Sequence, residues 1–478
     1  MKKKLLLTAV VFILLLTGCS QAAASSTATP EAVQTASGEA AQAVYPGETW
    51  RQAETPEELG WSSEKLAQAR AYAEQIGSAA AMIVDNGIVV DAWGDIERNY
   101  HCHSMRKSLL SGLYGIYVAE EKIDITKTLE ELDIDDKTPL TEAEKQATVA
   151  DLLKARSGVY IPAAGEVQSM RDARPERGSH APGTFWYYNN WDFNALGTIF
   201  DQETGEENIY KAFKARIADP IGMQDYPLED LQYDYEPYSK HPYYGFRMST
   251  RDLARFGLLL LREGRWEDQQ IISAAWVKES TAAHSDIGPD SGYGYMWWTG
   301  VRNGLFPNVE VKAHSYYASG YRGHKVIVLP YRNLVIVHRV DTDKPEGSVG
   351  EPQIGTLLWL ILDAAGETEI GGSPFIEAAQ GARLTGEDLR QTITGSTWQT
   401  ASSPEQLTIS SADDGTLYVF SGEVLLYSGK WRIEGDMYCL EVPDVEVDAC
   451  FSVVLDGTTL KLYEPEGTLW MRFEVTQE

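Results

Sequence analysis

Positive charge is scarce in this chain of 478 residues: 41 Lys and Arg stand against 70 Asp and Glu, for a net charge of −29. That excludes nucleic acid as the main partner, because counterion release needs a basic surface and the sequence offers none. Membrane-spanning length is also lacking in the N-terminal apolar run, Leu5 to Leu16, which is too short to cross a bilayer. Cysteine is confined to four positions, 19, 102, 439 and 450. Cys439 and Cys450 flank a short acidic connection and can bridge neighbouring strands, whereas Cys102 reads as a small buried side chain. The grouping His101, Cys102, His103 is too closely spaced to converge on one ion, and no second cluster exists, so no metal and no cofactor are expected. Internal repeats are missing too.

What is present starts with an export signal. Lys2, Lys3 and Lys4 precede the apolar run, which ends in Leu16-Thr17-Gly18-Cys19. This resembles a bacterial lipoprotein signal, in which the cysteine is lipidated and becomes the first mature residue. The resemblance implies removal of residues 1–18, a lipid on Cys19 and a place in the cell envelope outside the cytoplasm. Residues 19–48 are rich in Ala, Ser and Thr with almost no large apolar side chains, the composition of a flexible tether.

Beyond the tether the pattern is that of a folded domain over 49–370. A helix is expected from about Ser63 to Ile76, capped by Ser62 or Ser63, followed by a hairpin whose Asn86-Gly87 supplies the tight turn. A helical, loop-rich middle includes the capping-type start Thr148-Val-Ala-Asp151, a loop over 159–183 and an apolar helix over 249–261. The stretch YGYMWW, then KVIVLP and LVIVHRV around the turn Tyr331-Arg332-Asn333, read as late antiparallel strands, and 356–365 as a closing helix. The expected fold is therefore α/β: an antiparallel sheet flanked by terminal helices, with an inserted helical subdomain and the first hairpin pairing to strands more than 200 residues away. After a linker at 371–395, short alternating segments over 396–478 describe a small all-β barrel or meander.

The chemistry concentrates in YHCHSMRKSLLSGLYGIY, residues 100–117. Ser104 and Lys107 are three residues apart at the start of an apolar helix, so both side chains share one face of its first turn. A lysine whose ammonium form is disfavoured by burial can take the serine's proton and make a nucleophile. A second Ser-x-x-Lys, Ser62 to Lys65, reads as a helix cap with a solvated lysine. Downstream, Tyr188-x-Asn190 follows Pro182-Gly183, with Tyr187-x-Asn189 as an alternative register. A phenol there can relay a proton, and the amide can hold the lysine and the substrate. Ser319-Gly320 precedes a strand, where glycine permits close approach of backbone. The backbone N–H groups of Tyr321 and Ser104 together would form an oxyanion hole.

The ordered set Ser104-x-x-Lys107, Tyr188-x-Asn190 and Ser319-Gly320 resembles the serine β-lactamase and penicillin-binding-protein superfamily. The closer likeness is to class C-like esterases and nylon-oligomer-type amide hydrolases. It implies Ser104 as acyl-enzyme nucleophile, Lys107 as general base, Tyr188 as partner acid or base, and a small ester or amide as substrate. In one respect the chain departs: Ala318 stands where the family commonly has Lys or His, a position that often holds a substrate carboxylate. Arg322 is the candidate replacement, or else a surface arginine on a strand. The alternatives are a β-lactamase or D-Ala-D-Ala carboxypeptidase, and a non-catalytic binding lipoprotein. The aromatic segment 225–247 is compatible with an apolar or ring-bearing substrate and equally with loop packing.

Overall fold

The computed structural model describes residues 43–288, 291–301, 304–345, 347–366, 382–400, 407–421, 424–443, 447–456, 459–463 and 469–475. The signal and lipidation site lie outside the described residues, as does the tether up to 42. Its last part, 43–48, is packed: Tyr45 meets Trp266 edge to face at 5.3 Å, and the Gly47 carbonyl accepts from Arg255. No helix among the described residues is long and apolar enough to cross a membrane.

Helix α1 (Ser63–Gln75) starts as its sequence dictates, with the Ser62 side chain accepting from the Lys65 amide and the Lys65 ammonium bound to Asp363. Strands β1 (Ala80–Asp85) and β2 (Ile88–Gly94) turn back on each other through Asn86 and Gly87, both at positive φ (47° and 86°), as a tight hairpin requires. Helix α2 (Met105–Ala119) is buried on all sides from Met105 to Tyr117, which is why its sequence is apolar nearly all round. Helix α3 (Asn190–Thr204) is capped by Asn189, and α4 (Thr250–Leu261) by Ser249. Then come β3 (Ser285–Asp286), β4 (Ser291–Tyr293), β5 (Trp298–Gly300), β6 (Tyr316–Gly320), β7 (His324–Leu329), β8 (Leu334–Arg339) and α5 (Glu351–Ala364).

The eight strands form one antiparallel sheet in the order β2-β1-β8-β7-β6-β5-β4-β3. Ala80 pairs with Arg339, so the N-terminal hairpin docks on the late strands as expected from the apolar patterning. Side-chain alternation splits the sheet's two faces. Ile83, Ile327 and Ile336 face α1 and α5, packing on Leu66, Leu358 and Ile361. Met82, Val326 and Val335 face the inserted helical layer with Leu109, Leu253 and Phe256. Burial on both faces explains the unbroken apolar runs of β7 and β8, which alternation alone would not produce.

YGYMWW is not one strand. Tyr293 ends β4 and Trp298 begins β5, and between them the Gly294 N–H bonds the Trp297 carbonyl with Met296 at φ 62°. The reason is tertiary: Met296 donates to the Leu153 carbonyl and accepts from the Ser108 hydroxyl, drawing the turn onto α2.

In the C-terminal region, strand pairing runs from 447–456 through 437–442, 424–434, 416–421, 407–411, 397–400, 469–475 and 459–463 back to 447–456, closing a barrel. Its core contains Trp398, Tyr438, Phe451, Leu460 and Phe473. Cys439 and Cys450 sit directly opposite on paired strands and form a disulfide. The expected linker at 371–395 is structured where it is described: Ala382–Arg383 pairs with the barrel, and the helix Gly386–Ile393 places Leu389 and Ile393 in its core.

Replacing Ile336, almost wholly buried at the centre of the sheet, by alanine is expected to cost roughly 2–5 kcal/mol through lost burial and the cavity left behind. Urea unfolding followed by tryptophan fluorescence measures it, and a loss below about 1 kcal/mol would contradict a tightly packed sheet–helix interface there.

Candidate active site

Ser104 enters the site through a strained approach. The short strand Tyr100–His101 pairs with Arg247–Met248, the Cys102 N–H bonds the Phe246 carbonyl, and His103 turns at φ 47° before α2 begins. Ser104 occupies the cap position of α2, yet its side chain makes no capping bond, which leaves Oγ free to face Lys107.

One turn into the helix, Lys107 is 2% exposed. Its Nζ lies 2.7 Å from Ser104 Oγ and 2.8 Å from the phenol oxygen of Tyr188. The rings of Tyr188 and Phe193 cover it at 4.4 and 4.8 Å. Burial, and after it the Arg106 guanidinium, hold the lysine's pKa well below the ordinary value, so the neutral amine is favoured. Burial pushes the Tyr188 phenol up to about 12, against the opposing pull of its hydrogen bond to Ser104 and of Arg106. A neutral amine, a protonated phenol and a hydroxyl therefore share one hydrogen-bonded chain, the combination that lets a proton leave Ser104 and reach a leaving group.

The Tyr188 register is the one that meets the serine. Tyr187 instead donates to the Met170 carbonyl, while Asn189 caps α3 and donates to the Val159 carbonyl and Asp192. Asn190 does not bond to Lys107: its amide donates to the Gly165 carbonyl, and its Oδ1 is buried with no hydrogen-bond partner among the described residues. A buried acceptor left without a partner calls for an explanation.

At the end of β6, a Cβ on Gly320 would stand 2.6 Å from the Cys102 carbonyl oxygen, so only glycine lets this strand close on the segment that carries Ser104. Tyr321, half exposed, lies edge-on to His103 at 5.8 Å. Ser319 shares its strand face with Tyr317, toward the terminal helices, and its hydroxyl accepts from Lys325 at 2.7 Å. Arg322 is not on a strand. It sits in a turn at φ 63°, donates to the Pro345 carbonyl and covers the Tyr321 ring. His103 bonds Thr342 at 2.7 Å and lies tilted beside His324 at 5.3 Å, with burial lowering its pKa to about 4 and that of His324 well below the usual value; the pair ties the Ser104 turn to the segment just after β8. Cys102 is buried and unpaired, as expected, with its thiol pushed up to about 11 by burial.

Three participants were not legible beforehand. Arg106 is fully buried beside Lys107; Lys325 brings an ammonium to Ser319 and pairs with Glu351; Thr342 joins two imidazoles. Only the adjacency of Arg106 to Lys107 was visible in the sequence, and nothing in it told buried from exposed.

A sheet backed by two terminal helices, with Ser-x-x-Lys at the buried start of the central helix and a tyrosine from the inserted layer, defines a β-lactamase-type fold. The chain belongs to the beta-lactamase family, whose model matches residues 64–354. Similar solved structures include a Bacillus anthracis protein described as a 6-aminohexanoate-dimer hydrolase, 18% identical over 68% of this chain and 88% of that one, with a TM-score of 0.48. Another is EstCE1, a hydrolase with promiscuous acyltransferase activity, 16% identical over 65% and 99%, TM-score 0.46. A penicillin-binding protein homolog from Caulobacter crescentus is 16% identical over 64% and 99%, TM-score 0.48. Among curated proteins, none matches the chain significantly.

Two outcomes follow from the geometry. An unfolded lysine titrates near 10.4, whereas the folded Lys107 titrates well below, so between those values the unfolded chain binds the extra proton and stability rises with pH. Lys107→Met is therefore expected to be more stable than the parent at pH 7, with the advantage shrinking as pH rises toward about 10; thermal melts from pH 6 to about 10.5 test it. Gly320→Ala is expected to lose roughly 1–3 kcal/mol of stability through the forced contact with Cys102, and a variant of unchanged stability would show that the approach is not close.

Proposed function

We propose that this protein is a serine hydrolase that cleaves a small ester or amide through an acyl-enzyme on Ser104. The observation that carries the reading is the continuous contact from Ser104 Oγ through Lys107 Nζ to Tyr188 OH, 2.7 and 2.8 Å, with the lysine buried and free of any carboxylate partner among the described residues. As Oγ attacks the substrate carbonyl, its proton passes to the neutral Lys107 amine. The backbone N–H groups of Ser104 and Tyr321 hold the oxyanion, and Asn190 Oδ1 accepts from the substrate. Collapse of the adduct expels the alkoxide or amine, which takes a proton from Tyr188, itself resupplied by Lys107. A water molecule then gives its proton to the same pair and attacks the acyl carbon, releasing the acid and restoring Ser104.

A neutral ester or amide fits better than a substrate ending in a carboxylate. Ala318 offers no cation, Arg322 is engaged with Pro345, and Lys325 is already paired with Glu351. In this reading no metal or cofactor takes part, and no nucleic acid is a partner. In this reading the enzyme resides in the cell envelope, tethered by a lipid on Cys19 after export, and Gly320 shapes the edge of the binding cleft, whereas the Ser319 side chain, turned to the terminal helices, takes no part in it.

The test is a panel of p-nitrophenyl esters, a linear amide and nitrocefin. Ser104→Ala is expected to abolish both turnover and labelling by a fluorophosphonate probe. Lys107→Ala and Tyr188→Phe are each expected to lower kcat/KM by about 10²–10⁴. Unlabelled wild-type protein would sink the hydrolase reading in favour of a binding lipoprotein. Nitrocefin turnover at ester-like rates would move it to a β-lactamase.

A further inference from the structure

Arg106 is a cation with nowhere to discharge. Its side chain is fully buried, and its Nη2 donates to Asn194 Oδ1 at 2.8 Å. The guanidinium carbon stands 4.3 and 4.1 Å from the ring centroids of Tyr243 and Tyr244. Its Nε and Nη1 are buried without hydrogen-bond partners, and it enters no ion pair among the described residues. The other fully buried arginine near the site, Arg339, is by contrast saturated by three backbone carbonyls and His324. A buried charge left partly unsatisfied is expensive, and an apolar residue of similar volume would pack the same gap more stably. The position of this one, immediately before the proposed base, supplies a reason to keep it.

We propose that Arg106 is a positioning residue that acts through Lys107: its un-neutralised charge, confined between two tyrosine rings, disfavours a second cation beside it and keeps the lysine able to accept the Ser104 proton. This rests on the reading of Lys107 as general base. An arginine stays protonated at all working pH values, so its field is constant, and in a dry site that field is weakly screened.

Among the described residues, Lys107 has no carboxylate within ion-pairing distance. Its own helix contributes Ser104 and Arg106. The segment before α3 contributes the Tyr188 phenol, and α3 itself Phe193 and Asp192, whose buried carboxyl is pushed well above its usual range and is held by Ser157 and Asn189. The sheet contributes Tyr293 and the loop before α4 Tyr243 and Tyr244, all phenols raised by burial. Glu166, near Asn190, is paired with Arg174. Burial and Arg106 thus act in the same direction, and removing Arg106 lets the lysine's pKa rise.

The experiment measures kcat/KM for p-nitrophenyl acetate, and the rate of fluorophosphonate labelling, from pH 5 to pH 10 on the full chain. In Arg106→Gln and Arg106→Met the acid limb of both profiles is expected to move alkaline by about one pH unit or more, a tenfold or greater loss at the acid end that recovers on the alkaline plateau. Arg106→Lys, which keeps the charge, returns the limb toward its wild-type position. Asn194→Ala removes the hydrogen-bond partner without the charge and leaves the limb in place. A uniform drop across the pH range in both Gln and Met variants, with the limb unmoved, overturns the proposal and leaves Arg106 a packing residue. If instead Lys107→Ala retains near wild-type labelling, it is the base assignment that fails, so the two failures are separable.

Discussion

The withdrawal of Lys107 from water governs the rest of the site. An amine in solution is an ammonium at neutral pH and useless as a base. Inside this fold it is enclosed by Tyr188, Phe193 and its own helix, with no carboxylate among the described residues to restore its charge. That enclosure requires α2 to be buried on every side, which in turn requires a sheet on one flank and a helical layer on the other. The architecture can be understood as the minimum needed to keep one nitrogen dry while leaving one oxygen, Ser104 Oγ, reachable.

The arrangement is held from several directions at once. Gly320 lets β6 close on the Cys102 carbonyl, and the His103–Thr342–His324 contacts fix the turn before Ser104 to the end of β8. Arg339 collects the carbonyls of Tyr100, His101 and Met248, so the short strand leading to Ser104 is anchored to the same end of β8. These groups are buried and polar, and each has found a partner. Asn190 Oδ1 and two nitrogens of Arg106 have found no hydrogen-bond partner among the described residues, and each such buried atom calls for an explanation.

The elements with local causes were legible from the residues. Ser62 and Thr148 announced their helices through side-chain caps, Asn86-Gly87 announced the hairpin, and the alternating strands after residue 396 announced a β domain with Cys439 opposite Cys450. The pairing of Ser104 with Lys107 followed from helical spacing, and Tyr188 from its register. Elements with distant causes were not legible. YGYMWW looked continuous because its break is made by Leu153 and Ser108, far away in the chain. Residues 382–393 looked like linker because the barrel core that claims Leu389 and Ile393 is built later. Arg322 was expected to face the cleft or lie on a strand, and a positive φ turns it to Pro345 instead.

By itself the sequence determined which residue types lay on which local periodicities: the fold class, the serine–lysine pair on one helical turn, and the glycine at a strand end. Tertiary structure alone decided which charges are buried and what surrounds them, and therefore that the neutral form of Lys107 is favoured, that Arg106 enters no ion pair among the described residues, and that Ser319 meets Lys325. The reason is that protonation depends on solvent exclusion and on charges brought together from remote parts of the chain, neither of which has a signature in the spacing of neighbouring residues.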